Sequence, residues 1–358
     1  MKPGLLAKLR LASQCVPSAA NSPTSLVRHM GALQAQDYTS ALWAIGARVK
    51  GATEKSVEEA ISRREIVRTW PMRRTLHFVP GEDAKWLTQL SAERVIASAA
   101  GRAKDLELDD KVFAKVRKVA IKALEGGNRL TRDELRQRFI EAKLPAQDSR
   151  ASHLFWRLAQ ESLLCFGTRE GKQPTFVLLD EWVTNSLQPD REEGIRTLAL
   201  RYFRSHGPAT LKDFTWWSGL KVSEARVGIE AAGSELEKIS IEGIDCWLSP
   251  ELDRKDKPAG MHLLPAFDEI VIAYHDRLVT LATEHSDRIV PGGNGMFLPM
   301  VVDEGRVIGT WKRTTTRKEV RIVPELFKPL PKTKIAALKK AGERYAAFLG
   351  LAGICEGV

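Results

Sequence analysis

One order of predicted elements occurs three times along the 358-residue chain. Each copy contains a helix, a second helix that begins at a capping residue, a third helix, and two short β-prone runs around a turn. A unit of this kind buries its apolar faces against its own parts. The chain is therefore expected to fold as several small modules in sequence, rather than around one large sheet.

The clearest copy lies in the middle of the chain. A helix is predicted over Val112–Leu124, and Thr131–Glu134 forms a capping box, in which a hydroxyl and a carboxylate satisfy the first amides of the next helix. A third helix is predicted over Ser152–Leu164. Two β-prone runs, Leu163–Gly167 and Thr175–Leu179, then flank a polar turn. This is the pattern of a winged helix.

A second copy follows 79 residues later, where Thr210–Asp213 takes the place of the first capping box. Helices are predicted over Gly194–Ser205 before it and Ser223–Gly233 after it. The runs Leu236–Ile241 and Cys246–Leu248 form its hairpin around the turn at residues 242–245. The two copies share a pattern with little sequence identity.

The remaining copy, at the start of the chain, is longer and less regular. Its helices are predicted over Leu5–Gln14, over Ser25–Met30 running on towards Gln34, and over Ser56–Arg63, and its β-prone run over Ile66–Val79.

Beyond Pro250 the composition shifts from helix to strand. The apolar run Ile270–Tyr274 belongs to this strand-rich part, Met300–Val302 and Val307–Trp311 form a hairpin, and Lys332–Leu349 forms a basic helix. The predicted fold class is α+β, with three tandem winged-helix modules at residues 1–105, 106–188 and 189–258, and a C-terminal β-rich part with a basic helix at 259–358.

The charge balance favours a polyanionic partner. Lys and Arg number 55 against 45 Asp and Glu, which gives a net charge of +10 and a sequence pI near 9.4. Within the first 100 residues there are 14 basic and 8 acidic side chains. The basic ones concentrate at Arg63–Arg74, so Arg68, Arg73 and Arg74 are candidate phosphate contacts; a solvated helix end would show the same pattern.

Several classes of protein are excluded by missing features. No apolar run approaches the roughly 20 residues that a membrane helix needs, and the charged start leaves no room for a secretory signal, so a cytoplasmic protein is expected. The motifs of phosphate-loop, dinucleotide-binding and zinc enzymes do not occur. The seven histidines are dispersed and the four cysteines are scattered singly. We expect no metal, no cofactor and reduced thiols.

A polar triplet stands out where an apolar helix ends. Gln34, Gln36 and Asp37 occur directly after Leu33, before a second apolar stretch at Ala41–Ala47. Two amides and a carboxylate are suited to positioning a water or a substrate. The alternative is structural, because Gln is common at helix ends and Asp is a frequent cap of the helix that follows.

Segments on both sides of this triplet resemble a known family. Gly31–Asp37, Ser40–Trp43 and Val67–Val79 are similar to the signature of the winged-helix DNA glycosylases that include AlkZ and YcaQ. Leu264–Glu269 and Gly305–Trp311 also match the usual pattern of that family, as do Asp276–Arg277 and Asn294–Gly295. The likeness spans nearly the whole chain in the same order.

The resemblance implies a curved, DNA-cradling body and a monomeric DNA-repair enzyme that associates with the nucleoid when bound to DNA. It implies a glycosylase, a hydrolase of N-glycosyl bonds, that removes cationic N7- or N3-alkylated purines from double-stranded DNA in base excision repair. The family's catalytic element is a Gln-x-Gln or Gln-x-Asp triplet, and Gln34-Ala35-Gln36 fits the first form. That form is associated with the AlkZ-like branch, which unhooks interstrand crosslinks. Asp37 lies one place beyond the Asp of the second form, so that role is not transferred to it.

Other roles stay open at this stage. A glutamine is not a general base, so Asp37, His77 or bulk water must receive any proton that is removed, and Asp37 and His77 are candidates for catalytic support. His77 serves equally well as a structural histidine. Trp70 adjoins the basic run and is a candidate DNA contact, whereas the other tryptophans considered (Trp43, Trp156, Trp216, Trp217 and Trp311) are assigned to packing. The alternative function is a non-catalytic winged-helix DNA-binding protein or transcription regulator. It is disfavoured because the predicted third helices contain few base-reading residues.

Overall fold

The computed structural model describes residues 3–255 and 259–356 of the chain. The helices are α1 (Pro3–Ser13), α2 (Pro23–Met30), α3 (Tyr38–Gly46), α4 (Glu54–Ser62), α5 (Ala84–Ser98), α6 (Ala100–Asp105), α7 (Asp110–Leu124), α8 (Arg132–Glu141), α9 (Asp148–Gln160), α10 (Leu179–Trp182), α11 (Arg191–His206), α12 (Leu211–Ser218), α13 (Val222–Ala232), α14 (Glu269–Ile272), α15 (Ser286–Ile289) and α16 (Lys332–Leu349).

The strands are mostly short and occur as hairpins. They are β1 (Leu33–Gln34), β2 (Ile66–Met72), β3 (Thr75–Pro80), β4 (Leu130–Thr131), β5 (Leu164–Phe166), β6 (Thr175–Leu178), β7 (Glu237–Ile241), β8 (Ile244–Leu248), β9 (Met261–Leu264), β10 (Met300–Asp303), β11 (Arg306–Thr315), β12 (Glu319–Leu326) and β13 (Ala352–Cys355). The expected α+β class is confirmed.

The described chain divides into two compact units. The first unit consists of Met1–Glu59 with Ile195–Val358, and the second of Ala60–Gly194. The four domains expected from the sequence stay a prediction, since their boundaries are not tested by this division.

The second unit contains the clearest of the three sequence repeats. Within it the strands lie in the order β3-β2-β5-β6-β4, with antiparallel pairing throughout. The predicted capping box at the start of α8 is confirmed, since Thr131 Oγ1 accepts the Glu134 amide at 3.3 Å and Glu134 accepts the Thr131 amide at 2.7 Å. Helix α9 begins and ends four residues earlier than predicted.

The apolar core of this unit joins its helices to its sheet. It includes Phe113 from α7, Phe139 from α8 and Phe155 from α9, all at most 2% exposed. Phe155 stacks on Phe176 of β6 with ring centroids 4.8 Å apart. Aromatic contacts of this kind add to the stabilisation that comes from buried area, so the three helices pack against the sheet of the unit around one core.

The first unit contains the second repeat, formed by α11–α13 and the hairpin β7–β8. Its capping box is also present, at Thr210 and Asp213. Glu242 and Gly243 form a two-residue turn with φ of 52° and 80°, the conformation that matches the twist of a tight hairpin. Strand β8 therefore begins at Ile244, two residues before the predicted start.

The strand-rich part of the first unit is a five-stranded sheet in the order β13-β12-β11-β10-β9. The predicted hairpin is confirmed as β10–β11, and the predicted basic helix is α16. One expectation is wrong: Ile270–Ile272 lie in a helical turn instead of a strand. The reason is a local cap, since Asp268 Oδ1 accepts the Ile270 amide at 3.0 Å and starts α14.

Helix α3 packs against this sheet although it lies far away in sequence. Trp43 Nε1 donates to the Leu263 carbonyl of β9 at 2.7 Å, and its ring lies 5.1 Å from Phe348 of α16. Gly46 is needed at this contact, because a Cβ there would come within 2.4 Å of the Phe348 ring. The N-terminal helices thus share a core with the C-terminal sheet.

Candidate active site

The glutamine-bearing segment begins where α2 ends. Ser22 and Ser25 form a capping box at the start of the helix, and Pro23 occupies its first position. At the other end Gly31 adopts φ 74°, and its amide donates to the Val27 carbonyl at 2.9 Å. A glycine adopts this conformation without steric cost, so the chain turns sharply out of the helix into β1. The prediction that the helix runs on towards Gln34 is therefore wrong.

Burial alternates along this segment. Leu33 and Ala35 are fully buried, whereas Gln34 is half-buried and Gln36 is exposed. Successive side chains of an extended segment point to opposite sides. The apolar residues therefore anchor the segment to the core, whereas the two glutamines are its more accessible residues.

The backbone amide of Gln34 has a hydrogen-bond partner, whereas its side-chain oxygen has none among the described residues. Its backbone amide donates to Glu269 Oε1 at 2.9 Å. Its side-chain Oε1 is shielded from solvent and accepts no hydrogen bond from a group in residues 3–255 or 259–356. An enclosed acceptor without a donor costs free energy, and such groups in native proteins often have a functional reason. A bound water or substrate hydrogen would satisfy this oxygen.

Asp37 caps the next helix. Its Oδ1 accepts the Ser40 amide at 2.6 Å at the start of α3. This contact is the structural alternative considered for the residue. A role in proton transfer stays a prediction, which would require the same carboxylate to serve both purposes.

Glu269 is a residue of the site that the sequence reasoning missed. It is 1% exposed, and besides the Gln34 amide it accepts Trp217 Nε1 at 3.1 Å through Oε2. His206 Nε2 lies 3.7 Å from the same oxygen. Its segment, Leu264–Glu269, was part of the family resemblance, but nothing in the local pattern indicated that its last residue reaches Gln34.

A second buried carboxylate lies beside it. Asp268 forms a two-pronged ion pair with Arg48, with nitrogen–oxygen distances of 2.7 and 2.8 Å and both side chains fully buried. Burial disfavours the charged guanidinium, but the charge and hydrogen bonds of Asp268 outweigh it and raise the pKa of Arg48. Arg48 also donates to Gln14 Oε1 at 2.9 Å, which extends the polar network.

The candidate phosphate contacts lie in the second unit, around the β2–β3 hairpin. Arg73 and Arg74 occupy its turn with φ of 51° and 65°. Positive φ at both residues is the conformation of a tight two-residue hairpin turn, as at Glu242 and Gly243, so the turn places both arginines at the tip of the hairpin. Arg74 is exposed, and its guanidinium lies 5.0 Å from the centroid of the Trp156 ring.

The other two basic-run candidates are more enclosed. Arg68 is half-buried, with its guanidinium 4.9 Å from the Phe166 ring centroid. Trp70 packs against the core of its unit, 5.1 Å from Phe166, and its carbonyl accepts Gln160 Nε2 at 2.7 Å. These contacts favour packing for Trp70, and its role in DNA binding stays a prediction.

His77 is fully buried on β3. Its Nδ1 lies 3.0 Å from the Thr75 carbonyl oxygen, which is an acceptor, so Nδ1 carries the hydrogen and donates it. The other nitrogen, Nε2, then accepts a hydrogen bond from the Arg73 guanidinium at 3.5 Å. These contacts favour the structural one of the two roles left open for His77, as a support for the turn arginine.

The tryptophans follow the sequence prediction with one exception. Trp43, Trp156, Trp217 and Trp311 are at most 8% exposed. The assignment of Trp216 to packing is wrong, because its ring is 43% exposed even though Nε1 donates to the Ile272 carbonyl at 3.1 Å. The exposed fraction remains although His275 lies edge-on to the ring at 5.6 Å between centroids.

The helix that a regulator would place in DNA is mostly hidden in the second unit. The exposed residues of α9 are Asp148, Ser149 and Ser152, near its N-terminal end, and from His153 onward the helix is buried except for the half-buried Arg157. A recognition helix must present several polar side chains to base edges. None of the three exposed residues is an Arg, Asn or Gln, which opposes the regulator hypothesis for this module.

No group of three or more His, Cys, Asp or Glu side chains in residues 3–255 and 259–356 is arranged to hold a metal ion. Over the same ranges, none of the helices has the length and apolar character to cross a bilayer.

Comparisons with known proteins show the family and the fold that this chain is similar to. The chain is 25% identical over 354 residues to a Streptomyces sahachiroi protein named "Interstrand DNA cross-link repair glycosylase". The aligned region covers 94% of this chain and 93% of the relative. Its fold matches the solved structure of Streptomyces sahachiroi DNA glycosylase AlkZ with a TM-score of 0.83 and 23% identity, over the full length of both chains. The sequence profile of the family described as "DNA glycosylase AlkZ-like" matches residues 27–348. The chain belongs to the AlkZ-like family of DNA glycosylases.

Proposed function

We propose that this DNA glycosylase hydrolyses the N-glycosidic bond of cationic N7- or N3-alkylated purines in double-stranded DNA, and that it unhooks interstrand crosslinks of the same chemistry. The observation that carries the proposal is the Gln34 side chain, whose enclosed Oε1 accepts no hydrogen bond from the described residues. Gln36 lies two residues further along the chain and is exposed. The name of the Streptomyces sahachiroi relative supports the crosslink substrate.

The substrate supplies much of the driving force. A purine alkylated at N7 or N3 carries a positive charge, so its bond to C1′ of the sugar is already weakened. Water attacks C1′ while the electron pair of the glycosidic bond moves to the purine and neutralises its charge. The products are a free alkylated base and an abasic site.

The two glutamines act on the water and the sugar. Their carbonyl oxygens accept the water's hydrogens and aim its lone pair at C1′, and the fixed amide dipoles stabilise the oxocarbenium-like transition state. A glutamine does not remove a proton. The proton released by the water therefore goes to Asp37 or to bulk solvent.

An excision assay tests this proposal. Single-turnover rates are measured by alkaline cleavage at abasic sites, on oligonucleotides that carry N7-methylguanine, a bulky N7 adduct or hypoxanthine. Both cationic lesions should react much faster than hypoxanthine, whose neutral base needs an acid to depart. Gln34→Ala and Gln36→Ala should each raise the activation free energy by about 2 to 4 kcal/mol, or about 30- to 1,000-fold in rate, with DNA affinity preserved.

A matched control is Gln137→Ala, which removes the amide of an exposed glutamine on α8. It should excise at the wild-type rate. Equal rates on cationic and neutral lesions would contradict the mechanism. Wild-type excision by the Gln34→Ala/Gln36→Ala double variant would remove the catalytic assignment, and no release from any lesion would favour a non-catalytic DNA-binding protein.

A further inference from the structure

The position of Gln34 depends on a buried charge from a distant part of the chain. Glu269 is 1% exposed, and Gln34 lies 235 residues away in sequence. Burying a carboxylate costs several kcal/mol unless hydrogen bonds compensate it. Both of its oxygens are so compensated: Oε1 by the Gln34 amide at 2.9 Å and Oε2 by Trp217 Nε1 at 3.1 Å.

The anchor at the second oxygen is rigid. Trp217 is fully buried and lies 5.0 Å from the Tyr202 ring, centroid to centroid. Tyr202 in turn stacks on His206 at 4.8 Å with an interplanar angle of 11°. Side chains held in a close-packed interior keep one geometry. The carboxylate therefore has one position, defined by the packing of α11 and α12.

The His206 ring lies next to this oxygen, and its hydrogen bonds define which ring nitrogen carries the hydrogen. Its Nδ1 lies 2.8 Å from Ser205 Oγ, and that hydroxyl donates to the Arg201 carbonyl at 2.6 Å. The hydroxyl hydrogen is thereby committed, so Nδ1 carries a hydrogen and donates to the hydroxyl oxygen. The remaining nitrogen, Nε2, lies 3.7 Å from Glu269 Oε2 and accepts no hydrogen bond from the described residues.

We propose that Glu269 is a positioning residue for catalysis: it fixes the backbone of Gln34 and thereby the direction in which the Gln34 amide meets the attacking water. The inference rests on the proposed function of Gln34. A hydrogen bond to a charged acceptor is about twice as strong as one to a neutral acceptor. Here the charged acceptor is Glu269 and the donor is the backbone amide of Gln34, the residue whose side chain must be placed accurately. A displacement of about 1 Å at such a group costs up to about 100-fold in rate.

Glu269→Gln is the sharpest test, because it conserves shape and changes one oxygen to NH₂. The Gln34 amide and Trp217 Nε1 both donate to the carboxylate, and an amide has one acceptor oxygen and no negative charge, so the bond to Gln34 is weakened even where it is kept. Excision of N7-methylguanine should fall about 10- to 100-fold in single turnover, while DNA affinity stays at the wild-type value. In a Gln34→Ala background the same substitution should cause little further loss, because Glu269 acts through Gln34.

A matched control lies in the same unit. Asp213 is 2% exposed and accepts the backbone amides of His275 at 2.9 Å and Thr210 at 3.0 Å. Asp213→Asn makes the same chemical change at a similar depth without touching Gln34. It should lower the melting temperature and leave excision, measured well below that temperature, at the wild-type rate.

The outcomes separate the two claims. Wild-type excision by Glu269→Gln beside a slow Gln34→Ala overturns the positioning role alone. Fully additive losses in the double variant also overturn it, whereas wild-type excision by Gln34→Ala overturns the catalytic role of Gln34 and this inference with it. If Glu269→Gln does not fold, hydrogen exchange on the wild-type chain decides: the Gln34 amide should be protected, and an unprotected Gln34 amide would refute the inference.

Discussion

Arg48 and Asp268 in the first unit form the same two-pronged ion pair as Arg117 and Glu161 in the second. The nitrogen–oxygen distances are 2.7 and 2.8 Å in the first pair and 2.9 and 3.0 Å in the second. Their surroundings differ: both side chains of the first pair are fully buried, whereas Arg117 is 41% and Glu161 16% exposed. Geometry alone therefore does not decide what a pair contributes.

The two pairs differ in what their charges contribute. In the first unit the buried charges lie beside Glu269, which accepts the Gln34 amide, so they help to hold this part of the chain in one position. In the second unit the charges lie at the margin of an apolar core, and Arg74 at the hairpin turn is exposed. Exposed arginines suit phosphates, which are bound wherever the backbone passes and carry no sequence information.

The largest expected effect is at the buried pair. Asp268→Asn leaves the Arg48 charge buried without its counter-ion and should reduce the free energy of unfolding by about 3 to 5 kcal/mol. Urea denaturation at pH 7 measures it. Glu161→Gln is the matched change at the partly exposed pair. A loss of the same size there would show that burial does not set how much an ion pair contributes to the free energy of unfolding.

An intermediate effect is expected at the hairpin arginines. Replacing Arg68, Arg73 and Arg74 together by Ala should weaken binding to damaged and undamaged DNA alike. The slope of log K against log salt should fall by about 0.9 for each phosphate of duplex DNA that an arginine no longer neutralises.

The control for this triple variant is Arg321→Ala. Arg321 is exposed, but Glu319 and Glu356 already balance its charge at 2.8 and 3.2 Å. Its salt slope should equal that of the wild type. An unchanged slope in the triple variant would show that the hairpin arginines do not bind phosphates.

The smallest effect is a pH dependence at the marginal pair. Burial alone would raise the pKa of Glu161, but hydrogen bonds from Arg117 and Arg157 outweigh it and hold that pKa below its ordinary value. A lowered native pKa contributes stability that is fully present above the unfolded pKa, about 4.3, and is lost as pH falls through the native pKa.

Wild type should accordingly exceed Glu161→Gln in unfolding free energy by less than about 1 kcal/mol near pH 7, because Arg117 is well solvated. The difference should shrink towards zero as the pH falls below about 4. Thermal melts of both proteins between pH 3 and pH 7 measure it. A difference that grows on acidification would contradict the sign of the shift.

Local signals in the sequence predicted the secondary elements well where the chemistry is local. The capping boxes at Thr131 and Thr210 start their helices as expected, and α16 has its predicted bounds. A cap depends on residues three positions apart, so one short segment contains all the information it needs. Predictions based on apolar content alone were less secure, as the helical turn at Ile270–Ile272 shows.

The candidate catalytic residues could be identified from the sequence, because Gln34-Ala35-Gln36 is a contiguous motif within a recognisable family signature. The groups that hold this motif in place could not, because they come from separate parts of the chain. Glu269 accepts the Gln34 amide of β1, and its other oxygen lies against Trp217 and His206. Their pairing depends on how α11, α12 and α14 pack, and a close-packed core brings together residues that no local periodicity relates.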